Sequence, residues 1–176
     1  MKKKERVFLG LGGNVGNVAA NFDKALGLLK RSSSIVDLRA SRYYRTSPVS
    51  SITQDDFLNA CCTFETDLKP AALFRLTQEI EKVIGKVPKE KEAPRVIDID
   101  IIFFGCSRYR DEEIEIPHPK WSERLFVLRP LSDLATHIFV PDLLRGSSFE
   151  INLQNFLSTF PNPHHEKVVP YEFIVT

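Results

Sequence analysis

The chain has 176 residues, 43% hydrophobic and 27% charged, with a formal net charge of +1, which describes one globular domain over 1–176. So even a balance excludes a global field for nucleic acid or an anionic membrane, and any anion must be held by a local cluster. No run approaches the ~20 apolar residues of a membrane span, no secretory leader is apparent, and Cys61, Cys62 and Cys106 fit neither a disulfide framework nor a zinc spacing, so all three read as buried thiols of a cytoplasmic protein.

Residues 7–11 are a short apolar run that predicts a buried strand, with Gly12, Gly13 and Asn14 as the turn behind it. Phe22, Ala25, Leu26 and Leu29 recur at helical spacing, with Asn17 or Asn21 as the cap and Arg31 plus the following serines as the stop. Residues 35–44 predict a strand with an exposed face, 46–56 a loop and 57–66 a further strand. Pro70 suits the first turn of a helix whose stripe is Leu73, Leu76, Ile80 and Ile84, and Gly85 ends it. A lysine- and glutamate-rich loop over 86–94 leads to the strongest strand, 95–104. Beyond it, 113–116 predicts an extra strand, and 126–134 and 153–157 predict helices.

Strand, helix, strand, strand, helix, strand is the order of a ferredoxin-like βαββαβ core. The expected fold class is therefore α+β: an antiparallel sheet with helices, three-layer α/β/α, with C-terminal additions.

The strand over 95–104 carries the chemistry. Side chains alternate along it, so Asp98 and Asp100 share one face about 7 Å apart, while Ile97, Ile99, Ile101 and Phe103 point into a core. Two like charges at that range repel by about 2 kcal/mol at an effective dielectric near 20. Magnesium, which takes hard oxygens from one or two carboxylates, water and substrate phosphates, is one partner that would relieve this. A solvated strand face, or salt bridges to neighbouring Arg and Lys, is the other. Arg95, Lys86, Lys89, Lys91, His118 and Arg124 are donors suited to a phosphate chain near such a metal. No P-loop sequence is present, and Gly10-x-Gly12-Gly13 alone is too weak for a dinucleotide site. His164 and His165 read as an exposed pair.

Taken in order, these segments resemble the hydroxymethyl-dihydropterin pyrophosphokinase family of folate biosynthesis. The likeness runs through residues 10–17 (with Gly13 where the family has Ser), Tyr44-Arg45-Thr46-Ser47-Pro48, the stretch 54–60, Gln78-Glu79-Ile80-Glu81, Pro94-Arg95-x-Ile97-Asp98-Ile99-Asp100, Pro117-His118-Pro119 and the stretch 124–131. The resemblance implies transfer of the β,γ unit of ATP to the pterin's hydroxymethyl group, leaving AMP.

It further implies a pair of magnesium ions on Asp98 and Asp100, with Arg95 joining them as a catalytic residue. Phe57 and Phe126 match rings that sandwich the pterin, Asn59 the amide that reads its edge, and Thr46, Ser47, Pro48 and Val49 the backbone that completes recognition. Gln78, Glu81, Lys86, Lys89, Arg95, Ile101, His118 and Arg124 match positions around ATP. The implied partners are these two small molecules, with no nucleic acid and no membrane.

Family members are sometimes fused to neighbouring folate enzymes, so 161–176 reads as a tail or a linker. The loop over 86–94 is expected to close as a lid. It departs from the family pattern: Pro88 stands where an arginine is usual, the tryptophan near Glu92 or Ala93 is absent, and the loop is a residue shorter. Pro119 replaces an aromatic, and Glu113 stands at a position that can be basic. Weaker ATP binding or altered closure follows. The competing readings are a non-catalytic ferredoxin-like module that binds a ligand or RNA, and an inactive relative.

Overall fold

Val7, Leu9 and Leu11 alternate with Phe8, Gly10 and Gly12 along the first strand, β1 (Glu5–Gly13), and the two sets face opposite layers. The computed structural model describes residues 3–48, 54–87, 93–142 and 147–172. After β1 come α1 (Val18–Lys30), β2 (Ile35–Ala40), β3 (Tyr44–Thr46), β4 (Phe57–Thr66), α2 (Pro70–Ile84), β5 (Asp98–Phe104), β6 (Tyr109–Arg110) and β7 (Glu115–Ile116). A short 3-10 turn (Trp121–Glu123) precedes α3 (Leu125–Leu134), β8 (His137–Asp142), β9 (Ser147–Asn152), α4 (Leu153–Ser158) and β10 (Val168–Pro170).

The main sheet is antiparallel in the order β10-β3-β4-β1-β5, with β2 beside β4. It separates two cores. On one face α1 and α2 pack Phe22, Leu29, Leu73 and Ile80 against Leu9, Leu11 and Phe64. On the other, Leu128 and Leu131 of α3, Leu153 of α4 and Ile138 of β8 cover Ile102, Phe103 and Trp121. Each fully buried Leu or Phe contributes about 1.5–3 kcal/mol relative to exposure, so both faces are needed.

The helix ends follow the expected chemistry. Asn17, not Asn21, caps α1 by accepting from Ala20 N (3.1 Å). Pro70 opens α2. Gly85 closes it at φ 116°, where a side chain would be strained, and the turn brings Lys86 N to the Glu81 carbonyl at 2.9 Å.

Several expectations are corrected. The strand over 35–44 is broken into β2 and β3, with Asp37 at φ 54° where the register slips, and Thr46 belongs to β3 rather than to a loop. Gly12 and Gly13 are strand residues paired with Asn59 and Leu58, so the turn begins at Asn14. The fifth strand begins at Asp98, not residue 95, and an irregularity opposite Phe8 and Leu9 makes Ile102 an extra residue. Ile97, Ile99 and Ile101 enter the α1/α2 core as expected, but the slip turns Phe103 to the opposite core. Residues 113–116 contribute only β7, paired with β6. Cys61 and Cys62 are buried, whereas Cys106 is exposed, because β5 ends at Phe104 and Gly105 (φ 53°) turns the chain outward. The β8–β9 hairpin and β10 were not foreseen.

Candidate active site

β1 lays a bare floor between two sets of polar side chains. Gly12 pairs with Asp98 of β5 on one side and Asn59 of β4 on the other, and Gly10 pairs with Asp100 and Cys61. Strands lie about 4.8 Å apart, so each carboxylate-bearing residue stands about 10 Å from its β4 counterpart, with only glycine between. The closeness is required: a Cβ on Gly12 would stand 3.0 Å from Asn59 Oδ1, and one on Gly13 would meet the Val96 carbonyl at 2.8 Å. Beside Gly13, Asn14 N and Val15 N donate to Arg95 O (2.9 and 3.2 Å) and Arg95 N donates to Asn14 Oδ1 (2.9 Å). Arg95 is thereby fixed at the mouth of the floor.

The acidic side is a relay of charges. Glu81, 7% exposed, accepts from Ile99 N (2.6 Å) on the outer edge of β5 and from Lys86 Nζ (2.9 Å). Lys86 Nζ also lies 2.7 Å from Asp98 Oδ1, and Arg95 pairs with Asp98 Oδ2. Burial pushes the Glu81 carboxyl up despite these donors. Burial would lower the Lys86 ammonium, but its bonds to Asp98 and Glu81 outweigh that and raise it. Asp100 is exposed and, among the described residues, its carboxylate has no hydrogen bond or ion pair. Salt bridges to Lys86 and Arg95 therefore satisfy Asp98, and Asp100 stands on a solvated strand face, the second of the two alternatives read from sequence. Burial holds His118 below the ordinary imidazole range, against the opposing pull of Asp100; its Nδ1 accepts from Lys120 N at 3.1 Å.

The opposite side is built for a flat polar ring. Asn59, 7% exposed, donates to Thr46 Oγ1 at 2.7 Å, which orients the amide. Phe57 opens β4 opposite Thr46, and Phe126 stands in the first turn of α3 with the Arg124 guanidinium 5.4 Å from its ring centre.

These two sides share one cavity of about 390 Å³. Asp98, Asp100, Arg95 and Arg124 line it, as do Asn59, Phe57, Phe126, Thr46 and Ser47. Glu81 and Lys86 sit behind Asp98. Pro48, Gln78 and His118 are not among the lining residues, and Ile101 buries its side chain in the α1/α2 core, leaving only backbone for a ligand. Val49 and Lys89 lie outside the described residues, as do Pro88 and Lys91 of the expected lid.

Sequence reasoning missed Gly10 and Gly12 as floor, Lys120 and Glu123 near Arg124, and Gln54, which accepts from Asn14 Nδ2 at 3.0 Å. Asn14 and Gln54 lay within the motifs already noted, so their signal was present. Exposed His164 also reaches the pocket wall, and no local signal announced it. Among the described residues, no group of three or more His, Cys, Asp or Glu could hold a metal, and no helix is long and apolar enough to cross a membrane.

Residues 8–136 match the family model described as 7,8-dihydro-6-hydroxymethylpterin-pyrophosphokinase (HPPK). A curated 2-amino-4-hydroxy-6-hydroxymethyldihydropteridine pyrophosphokinase of Methylorubrum extorquens is 38% identical over 141 residues, covering 80% of this chain and 86% of that protein. The folic acid synthesis protein FOL1 of Dictyostelium discoideum is 37% identical over 85% of this chain, which spans only 22% of its length. Among solved structures, an HPPK-DHPS of Plasmodium falciparum superposes with a TM-score of 0.68 at 14% identity, over 90% of this chain and 46% of that one. At that identity the structural match speaks for the fold: mixed α and β, with an antiparallel sheet.

Proposed function

The chain belongs to the 7,8-dihydro-6-hydroxymethylpterin-pyrophosphokinase family, and we infer from that membership that its pocket transfers pyrophosphate from ATP to 6-hydroxymethyl-7,8-dihydropterin in folate synthesis. The supporting observation is the glycine floor, with carboxylates and cations on β5 and a ring-and-amide wall on β3, β4 and α3. A pterin lies flat between Phe57 and Phe126, with Asn59 reading its donor-acceptor edge, since aromatic faces favour stacking on flat rings. The reading extends to a ferredoxin-like core in one pyrophosphokinase domain, supported by β5, β1 and β4 lying side by side with helices on both faces.

The residues fit magnesium: Asp98 and Asp100 aim at the same face, and Asp100 is open to solvent. Two carboxylates are an ordinary protein share for this ion, the remaining ligands being water and phosphate oxygens. When bound there, magnesium would neutralise phosphate charge and hold the chain of phosphates in line.

The rest falls to the chain's own groups. The hydroxymethyl oxygen forms a bond to the β-phosphorus as the bond to the α-phosphate bridging oxygen breaks, releasing AMP and the hydroxyl proton. Arg95 and Arg124 donate to the phosphate oxygens, whose charge is spread in the transition state. Lys86 and Glu81 hold Asp98 in place from behind. An RNA-binding reading is disfavoured because β1 and β5 present Gly10, Gly12, Asp98 and Asp100 to the pocket rather than aromatics.

The test is AMP release from ATP and 6-hydroxymethyl-7,8-dihydropterin with magnesium, alongside calorimetric titration with a non-hydrolysable ATP analogue. Folded protein that neither releases AMP nor binds the analogue would remove the enzyme reading.

A further inference from the structure

The family match ends at residue 136, yet the pocket wall continues to His164. A self-bonded turn brings the chain back. Asn162 and His165 adopt φ of 45° and 51°, and the Asn162 amide accepts from Glu166 N (2.9 Å) and donates to Glu166 O (3.1 Å). The following residues run along the Thr46–Ser47 wall: Lys167 N donates to Ser47 Oγ (3.0 Å), Ser47 N donates to Lys167 O (3.1 Å), and β10 pairs with β3.

Between these anchors Glu166 turns inward to 4% exposure. Its Oε2 accepts from Phe126 N at 2.9 Å, and its Oε1 has no hydrogen-bond partner among the described residues. α3 has no side-chain cap of its own. One of the first-turn N–H groups that a helix cannot satisfy internally is therefore met by a carboxylate 40 residues further along the chain. The helix N-terminus offsets part of the cost of burying that charge, but a carboxylate left with one bond is not what stability alone would select.

We propose that residues 162–170 form a strap belonging to the substrate site, with Glu166 as a positioning residue for the pterin. Glu166 locks the first turn of α3, and with it the Phe126 ring, against the Thr46–Ser47 wall that the same strap braces. The proposal rests on reading this pocket as the pterin site.

Titration of the full chain with 6-hydroxymethylpterin at saturating ATP analogue and magnesium, and with the analogue alone, tests it. Wild-type protein that binds no pterin removes the pocket reading itself. Given wild-type binding, Glu166→Ala should weaken pterin about tenfold, the scale of a lost helix cap, with the analogue changed by no more than about twofold. Glu166→Gln keeps an acceptor toward Phe126 N and should stay within about twofold of wild type for both. Asn162→Gly keeps the positive φ and removes only the amide, so it should cost about threefold in pterin binding and keeps the test standing if Glu166→Ala does not fold. Unchanged pterin affinity in Asn162→Gly and in any folded Glu166→Ala, or equal weakening of both ligands, overturns the proposal.

Discussion

Lys86 holds its ammonium 2.7 Å from Asp98 and, with the same three donors, 2.9 Å from Glu81. It is the hinge between a helix end and a strand start, since Gly85 turns the chain so that Lys86 folds back on its own helix. Replacing it with Met leaves Glu81 buried with only the Ile99 N–H and Asp98 with only Arg95. Hydrogen bonds to charged groups contribute about 1.5–3 kcal/mol, and partial exposure of Lys86 trims this to about 1–2 kcal/mol. Urea unfolding should show that loss in Lys86→Met and little in Lys86→Arg. Equal midpoints for wild type and Lys86→Met would mean the relay is ornamental.

Asp98 and Asp100 share a face but not a state, because among the described residues Asp98 has cationic partners and the Asp100 carboxylate has none. The proposed function has this exposed carboxylate meet a cation that arrives with the nucleotide. Asp100→Asn should lower turnover by about 10²-fold or more, the scale of removing a group that stabilises transferring charge. It should also abolish the gain in ATP-analogue affinity that magnesium gives wild type. A variant that retains that magnesium-dependent gain contradicts the assignment.

The aspartates were legible because period-two alternation needs only local sequence: Asp98, Asp100 and the isoleucines at 97, 99 and 101 declare their faces. Thr46 was misplaced because its strand is three residues long and owes its existence to β4 on one side and β10 on the other. The Phe103 error has the same origin, a slip between strands that pairwise register reveals and periodicity does not. Glu166 could not be found at all. Its partner is a backbone N–H far along the chain, and long-range capping leaves no mark in spacing.

The Arg124 guanidinium stands 5.4 Å from the Phe126 ring centre, and the proposed function has this ring and Phe57 stack on the pterin. Aromatic stacking on a flat heterocycle contributes about 1–3 kcal/mol. Phe126→Ala should therefore weaken pterin binding by about tenfold or more, with a much smaller effect on the ATP analogue. Fluorescence titration of the pterin measures both. Identical pterin affinity would sink the sandwich.

Asp133 joins two walls of the pocket from a distance. Its carboxylate on α3 accepts from Arg42 N (3.1 Å), Arg42 Nη2 (2.7 Å) and Tyr44 Oη (2.9 Å), tying the helix that carries Phe126 to the strand that carries Thr46. Burial alone would raise the Asp133 carboxyl, but the donors from Arg42 and Tyr44 outweigh it and hold the group below its ordinary 3.8. Burial, then the bond to Asp133, pushes the Tyr44 hydroxyl up to about 12, so it stays a donor across the working range. A depressed carboxyl contributes stability that is present above its unfolded value and lost as pH falls through its folded one. Asp133→Asn should thus cost about 1–2 kcal/mol at neutral pH, with the gap to wild type constant down to about pH 4 and closing below it. Chemical unfolding at pH 7, 5, 4 and about 2.5 reads this directly. A gap that persists undiminished at the lowest pH would show that the Asp133 charge is not what ties α3 to β3.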